Sequence, residues 1–322
     1  MKSYELVAKT IKGENTGRTP VYGWVAANLS KDLTDAFGSV EKFEDKYEFD
    51  MAHIFGGPNP YETEKLDEIR AQGIELTPEV YLDIPLKPVD RMDDYKSIID
   101  ALKHHRTERD RFCYLQTNGI FECLNGVFGI EDHLCYMALY PDELMEVYKR
   151  QAHWNKQFAE NAMDLGVDMI HISDDWGAQN NLLFSKQMWK DLIYPNHKIT
   201  CDEVKARGKF LSLHSDGHIA PVLDGIVDLR YDVVHPWQEA SNMSYELYLD
   251  KYSDKFCLLG GLCVQMTLGF GNYDKVEKEI RRAFELLKGK RWIFCTTHFV
   301  QDHCSIEELV FAYDLAVKLA RG

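Results

Sequence analysis

The sequence predicts an α/β fold, a single-domain (β/α)8 TIM barrel with insertions over the barrel mouth. Eight short runs rich in β-branched and aromatic residues recur along the 322 residues, and amphipathic helical patterns separate them. This alternation favours parallel strands joined by helices, and eight is the strand number of the barrel. A doubly wound sheet usually has a Gly-rich phosphate loop after its first strand, but Ala26–Ser30 contains no glycine.

The eight predicted strands follow one another from the N-terminal to the C-terminal part of the chain. They are Val21–Ala26, Phe49–Ile54, Phe112–Thr117, Asp168–Ser173, Lys209–His214, Tyr231–Pro236, Phe256–Gly260 and Trp292–Thr297. We expect the polar residues that follow these runs to share one face, because the carboxyl ends of parallel barrel strands meet at the barrel mouth.

Helical patterns fill the intervals between the strands. A helical extension is also predicted before the first strand, at about residues 1–20. The predicted helices are Thr63–Gln72, Asp93–His104, Pro141–Leu165, Lys186–Arg207, Ile219–Leu229, Ser244–Lys251, Tyr273–Leu287 and Ser305–Ala320. Several begin with residues that favour helix starts, such as Pro141 and Ser305.

Two segments interrupt the rhythm of strands and helices. Glu75–Arg91 contains three prolines and predicts a small hairpin over the barrel mouth, whereas Asn118–Cys135 is rich in glycine and aromatic residues and predicts a lid-like loop or short helices. Either segment can shape the choice of substrate.

Charge and composition narrow the classes of partner. The formal net charge is −15, which disfavours binding to nucleic acid or to an anionic membrane surface. No apolar run approaches the ~18 residues needed to span a bilayer, and the first residues lack a signal-peptide core. We therefore expect a cytoplasmic enzyme with a small-molecule substrate. The eight cysteines form no Cys-x-x-Cys pair, so no disulfide framework is indicated.

The most informative segment is Lys209–His218, in which a strand-like run ends in His214-Ser-Asp216-Gly217. A histidine and a carboxylate two residues apart at a strand end can reach one ligand, and His298 follows the last predicted strand. Two imidazoles and one carboxylate are a typical ligand set for Zn²⁺ or another divalent ion. The alternative is that Ser215 or Asp216 caps a helix and that His214 is a buried strand-end residue.

A second acidic pair, Asp174-Asp175, follows the fourth predicted strand. Paired acids serve in acid/base work because their mutual repulsion raises one pKa. We expect Asp175 to face the pocket and one of the two to cap the turn, and we assign Asp174, Asp175 and Gln238 to catalysis. The expected substrate-binding residues are Trp24, Asn28, Gln116, Asn118, Trp176, Gln179 and Trp237.

These segments resemble the uroporphyrinogen decarboxylase superfamily, which includes the decarboxylase and the zinc-dependent cobamide methyltransferases. The resemblance runs through most of the chain. It rests on Asp174–Gln179 with Phe184-Ser185, on Leu213–Ile219, on Val233–Gln238, on Leu259-Gly260-Gly261 and on Thr296-Thr297-His298.

The two branches of this superfamily imply different chemistry for the chain. In the methyltransferase branch zinc is held by a His-x-Cys-Gly motif and a further cysteine. His214 matches the histidine, Asp216 stands in place of the first cysteine and His298 falls near the second. This oxygen and nitrogen set implies transfer of a methyl group from an O- or N-methylated compound rather than from sulfur.

The decarboxylase branch uses an N-terminal Met-Arg-Gln-Ala-Gly-Arg segment whose arginines meet the substrate carboxylates. Here Trp24–Asn28 takes its place, and only Arg18-Thr-Pro-Val resembles the lead-in. The leading hypothesis is therefore a methyltransferase that uses Zn²⁺ and a corrinoid (cobalamin) on a carrier protein. The alternatives are a decarboxylase of the uroporphyrinogen type and a non-catalytic cobamide-binding barrel. The sequence leaves a homodimer open.

Overall fold

A parallel sheet of seven strands, in the order β1 to β7, forms the centre of the molecule. The computed structural model describes residues 1–322. The strands are β1 Met51–Ile54, β2 Phe112–Asn118, β3 Met169–Ser173, β4 Phe210–His214, β5 Val233–His235, β6 Cys257–Leu262 and β7 Trp292–Thr296. Each strand pairs in parallel with its neighbour in sequence, as β3 does with β4 through Ser173 and His214. The carboxyl ends therefore lie along one edge, as the sequence predicts.

Fifteen helices lie between and around the strands. They are α1 Ser3–Lys12, α2 Ala26–Phe37, α3 Val40–Lys46, α4 Thr63–Ala71, α5 Pro78–Leu82, α6 Lys96–Leu102, α7 Glu122–Phe128, α8 Ile130–Leu139, α9 Pro141–Leu165, α10 Lys186–Met188, α11 Tyr194–Ala206, α12 Leu223–Asp228, α13 Tyr245–Lys251, α14 Tyr273–Leu287 and α15 Ile306–Arg321. The longest, α9, packs against α11 and against β2 and β3. A connected core of 90 buried residues joins the sheet to these helices. None of the helices combines the length and the apolar character that crossing a bilayer requires.

The predicted first strand, Val21–Ala26, does not form a regular strand, so the sheet has seven regular strands where the sequence predicts eight. Val21 makes a single parallel bridge to Phe294 of β7, and α2 already begins at Ala26. Around this bridge Tyr22 N–H donates to the Phe294 carbonyl at 2.8 Å and Phe294 N–H donates to the Pro20 carbonyl at 3.0 Å, but the amides of Val21 and Trp24 bond to side chains. Val21 N–H donates to Asp50 Oδ2 at 2.9 Å and Trp24 N–H donates to Thr296 Oγ1 at 3.0 Å. Segment 20–25 is therefore an irregular strip between β7 and the start of β1, since Asp50 N–H also donates to the Val21 carbonyl at 2.9 Å.

The two insertions form helices. The first contains α5, where Thr77 accepts a hydrogen bond from Val80 N–H and Pro78 occupies the first turn, so the hairpin expected there is absent. Proline at the first turn removes no helical hydrogen bond, which explains why the segment folds this way. The second insertion forms α7 and α8, in agreement with the short helices expected there.

Candidate active site

The loops after β4 and β7 bring three predicted metal ligands together. One donor atom each from His214, Asp216 and His298 lies within 4.8 Å of the other two, and His298 Nε2 is 3.9 Å from Asp216 Oδ2. His214 is buried at the end of β4, whereas Asp216 and His298 are half-buried. We call these three residues the mouth cluster. Such a set of two nitrogens and one oxygen can hold a divalent ion and leave a position for substrate.

The backbone around the mouth cluster is fixed by contacts between the loops after β3 and β4. Ser215 Oγ accepts a hydrogen bond from Trp176 N–H at 2.9 Å, and Asp175 Oδ1 accepts one from Asp216 N–H at 2.8 Å. Neither Ser215 nor Asp216 caps a helix, since Asp216 Oδ1 accepts from Gln238 Nε2 at 2.9 Å. The capping alternative for this motif is therefore not what the structure has.

Two glycines allow this close approach of the loops. A Cβ atom on Gly217, whose φ is +78°, would lie 2.6 Å from the Ala178 carbonyl oxygen, and a Cβ on Gly177 would lie 2.3 Å from the Asp216 carbonyl oxygen. Real Cβ atoms do not approach oxygen so closely, and only glycine adopts this left-handed backbone without strain. The glycine of the His-Ser-Asp-Gly motif is thus required by the geometry that positions Asp216.

Gly217→Ala is expected to lower the free energy of unfolding by about 2–5 kcal/mol, since left-handed strain and steric overlap both contribute. Gly73→Ala is the matched control. Gly73 has φ +70°, but a Cβ there meets nothing within 4 Å, so only about 1–2 kcal/mol is expected. Urea denaturation of both variants measures the difference. Equal losses in the two variants would show that the loops do not constrain each other.

Three carboxylates crowd the site without a basic partner. Burial, followed by the charges of Asp175 and Glu122, raises the pKa of the Asp216 carboxyl to about 8. Burial and the charges of Asp175 and Asp174 raise the pKa of Glu122 to about 7. No lysine or arginine forms an ion pair with Asp175, Asp216 or Glu122; the basic side chains nearest to Asp175 and Asp216 are His214 and His298. The site therefore favours a bound cation.

The two histidines of the mouth cluster are held in the neutral form. Burial lowers the pKa of the His214 imidazole to about 4; the Asp175 carboxylate opposes this shift and His298 adds to it. Burial also lowers the pKa of His298, against the effect of Asp175. A neutral imidazole has the free lone pair that metal coordination needs.

The mouth cluster opens onto a cavity of about 740 Å³. Asp216 and His298 form one wall, and the predicted residues Gln179 and Trp237 line it as well. Gln238 stands behind this wall, where its side chain also accepts a hydrogen bond from Gly217 N–H at 2.7 Å. A cavity of this size admits a small molecule together with part of a larger second substrate.

Asp174 and Trp176 do not reach this cavity. The Asp174 carboxylate is completely buried and accepts four hydrogen bonds, from Phe121 N–H, Glu122 N–H, Trp176 Nε1 and His197 Nε2. Burial alone would raise its pKa, but the His197 contact and the other donors outweigh burial and lower it. Asp174 thus holds the start of α7, and of the acidic pair only Asp175 lies at the mouth cluster.

The other expected binding residues also lie outside the cavity. Trp24 is buried beneath the mouth cluster, with its indole nitrogen donating to Tyr114 Oη at 2.7 Å. Its ring centroid is 5.2 Å from that of His214. Asn28 donates to the Val300 carbonyl at 2.8 Å, and Gln116 and Asn118 belong to β2. None of these four residues lines the cavity.

Two residues of the site were missed by sequence reasoning. Glu122 lies in the second insertion. The available signal for it was its position as an acidic residue near a strand end, where short helices are predicted. His235 was visible at a strand end but received no role. Its Nδ1 atom lies 2.8 Å from His214 Nδ1, a contact that no sequence spacing reveals.

Comparison with known proteins places the chain in a family. The model of the family described as uroporphyrinogen decarboxylase (URO-D) matches residues 85–318. A search of curated protein sequences gave no match.

Two solved structures share the fold over almost their whole length. A methyltransferase from Methanosarcina mazei is 14% identical, with a TM-score of 0.72 over 99% of this chain and 98% of that one. A B12-independent methionine synthase from Shewanella sp. W3-18-1, in complex with selenomethionine, is 13% identical, with a TM-score of 0.52 over 95% of this chain and 94% of that one. The structural neighbours thus include methyltransferases, and the chain belongs to the uroporphyrinogen decarboxylase family.

Proposed function

We propose that this protein is a methyltransferase that moves a methyl group from a small O- or N-methylated compound to a corrinoid carried by a partner protein. The observation that carries the proposal is the mouth cluster, in which two neutral imidazoles and one carboxylate open onto a cavity of about 740 Å³. The methyltransferase among the structural neighbours supports the same choice at the level of the fold.

The residues present fit a zinc ion. His214, Asp216 and His298 would hold it, and a divalent cation there would favour the ionised forms of the crowded Asp216 and Glu122 carboxyls, which no lysine or arginine pairs with. When bound, zinc supplies a Lewis acid for the heteroatom that carries the methyl group. An oxygen ligand in place of thiolates makes the site harder, which suits an oxygen or nitrogen donor.

The chain's own residues would position the substrate. Gln238 holds both Asp216 and Gly217 through its amide, while Asp175 fixes the Asp216 amide with one oxygen and offers the other to the substrate. The corrinoid would be the methyl acceptor, with cobalt(I) supplying the electron pair of the new bond to carbon. The oxygen or nitrogen of a neutral donor would keep the electron pair of the broken bond and take up a proton from water.

The decarboxylase alternative has less support. Arg18, the one arginine that resembles the lead-in to the decarboxylase segment, is bound through both guanidinium nitrogens to the Asp50 carboxylate, at 2.7 and 2.6 Å. It is therefore occupied, and it lies in the chain just before the irregular strip 20–25. A substrate bearing several carboxylates needs free cationic partners, and the walls of the cavity offer only Lys275 besides histidines.

The proposal is tested with zinc-loaded protein, free cob(I)alamin and a panel of methanol, methylamines, methoxylated benzoates and methylated thiols. We expect the absorbance of methylcobalamin to develop with at least one O- or N-methyl donor and more slowly or not at all with the thioethers. Turnover of uroporphyrinogen, or tight binding of a donor that stays unchanged, would overturn the proposal in favour of decarboxylation or of simple binding. Lack of cobalt methylation with every donor would also contradict it.

A further inference from the structure

His235 carries no role in the mouth cluster, yet it lies directly behind His214. Both rings are buried, and their Nδ1 atoms are 2.8 Å apart, within hydrogen-bond distance. On its other side, His235 Nε2 is 3.2 Å from the carbonyl oxygen of Thr296 at the end of β7. A chain of contacts thus runs from a backbone carbonyl through one imidazole to the next.

The Thr296 carbonyl decides how the hydrogens are arranged along this chain. A carbonyl oxygen only accepts hydrogen bonds, so His235 Nε2 must carry the hydrogen. In a neutral ring His235 Nδ1 then has a lone pair and accepts. The hydrogen between the two rings therefore belongs to His214 Nδ1, which leaves the lone pair of His214 on Nε2. That atom faces the mouth cluster, 3.6 Å from Asp175 Oδ1.

The surroundings keep this arrangement in place. The Trp24 ring packs against both imidazoles, with centroid distances of 5.2 Å to His214 and 4.3 Å to His235. The Trp24 amide is in turn held by Thr296 Oγ1, so the indole and the accepting carbonyl are tied to the same strand end. Water has no access to the hydrogen between the rings, since both rings are buried.

We propose that His235 is a positioning residue that fixes the tautomer and the ring orientation of His214, so that His214 Nε2 is preorganised as a metal ligand. The inference rests on the proposed zinc site. Outer partners of this kind orient metal-bound histidines and raise their basicity, and their loss typically costs about 10- to 100-fold in metal affinity.

A neighbouring arrangement competes with this proposal. One donor atom each of His171, His214 and His235 also lies within 4.8 Å of the other two, and His171 Nε2 has no hydrogen-bond partner although it is buried. A metal ion held by these three rings would compete with the hydrogen bond between His214 and His235. His171 Nδ1 is paired with Ser212 Oγ at 2.8 Å and is not part of the chain of hydrogen bonds from Thr296 through His235 to His214.

Zinc titration of three variants separates these possibilities. We expect His235→Leu, which removes the acceptor, to weaken zinc binding by about 10- to 100-fold. His235→Asn keeps an acceptor for His214 Nδ1 and is expected to restore most of the affinity. His171→Asn is the control and should bind zinc as the native protein does. Equal affinity of the Leu variant and the native protein, or a loss in His171→Asn as large as in His235→Leu, would overturn the proposal.

A second readout uses metal-free protein and separates this proposal from the proposed function. In ¹⁵N-histidine-labelled protein, long-range ¹H–¹⁵N spectra report which ring nitrogen carries the hydrogen. We expect His214 to be protonated on Nδ1 in the native protein and to become a mixture of tautomers in His235→Leu. If His214 is protonated on Nε2 in the native protein, the proposed hydrogen-bond arrangement between His214 and His235 is refuted, whether or not zinc binds. Lack of zinc binding by the native protein would refute the proposed function while this spectrum still tests the tautomer.

Discussion

Replacing His214 with alanine is expected to abolish stoichiometric zinc binding and to reduce methyl transfer by more than about 100-fold, because loss of an outer partner alone costs up to about that factor. His214 is the buried member of the mouth cluster, and its Nε2 atom lies 3.6 Å from Asp175 Oδ1. Metal analysis after dialysis and the cob(I)alamin assay measure the two effects.

His303→Ala is the matched control for this prediction. His303 lines the same cavity but is not part of the mouth cluster. We expect this variant to retain one zinc ion per chain and to change activity far less than His214→Ala. If both variants keep zinc and lose activity equally, histidines of the cavity serve the substrate and the mouth cluster is not a metal site.

Asp174→Ala is expected to lower the free energy of unfolding by about 3–5 kcal/mol, since it leaves buried donors unpaired around His197. The pKa of Asp174 is lowered in the folded protein. The carboxylate therefore stabilises the fold above its unfolded-state pKa of about 4, and this stability is lost as the pH falls through the lower folded-state pKa. The difference between the native protein and Asp174→Ala should accordingly be largest near neutral pH and shrink in acid.

Chemical denaturation at pH 7 and below pH 4 checks this prediction. Asp302→Ala is the control, because the Asp302 side chain is 89% exposed, and a surface change of this kind usually stays within about 0.5 kcal/mol. An Asp174→Ala variant as stable as the native protein but inactive would restore the catalytic role that the sequence suggests for Asp174.

Much of the fold could be predicted because strand and helix patterns depend on local sequence. Each of the seven observed strands overlaps a predicted run, and α9 and α14 match their predicted limits. The run at Val21 has the composition of a strand, but the amides of Val21 and Trp24 are taken by the side chains of Asp50 and Thr296. Both acceptors come from distant parts of the chain, so the local pattern contains no sign of them.

The candidate site could be predicted in its ligands but less well in its surroundings. His214 ends a strand and Asp216 and His298 follow strands, and parallel topology brings strand ends together. The start of α7 decides which carboxylate of the Asp174-Asp175 pair turns outward, because its amides donate hydrogen bonds to Asp174. The positions of Glu122 and His235 likewise depend on how separate loops pack.

X-ray absorption spectroscopy of the zinc-loaded protein tests the central claim most directly. We expect one zinc ion per chain surrounded only by nitrogen and oxygen at about 2.0–2.2 Å, with the scattering pattern of two imidazoles. In Asp216→Cys the spectrum should gain one sulfur neighbour at about 2.3 Å. Sulfur in the first coordination sphere of the native protein, or no bound zinc at all, would contradict the assignment of His214, Asp216 and His298.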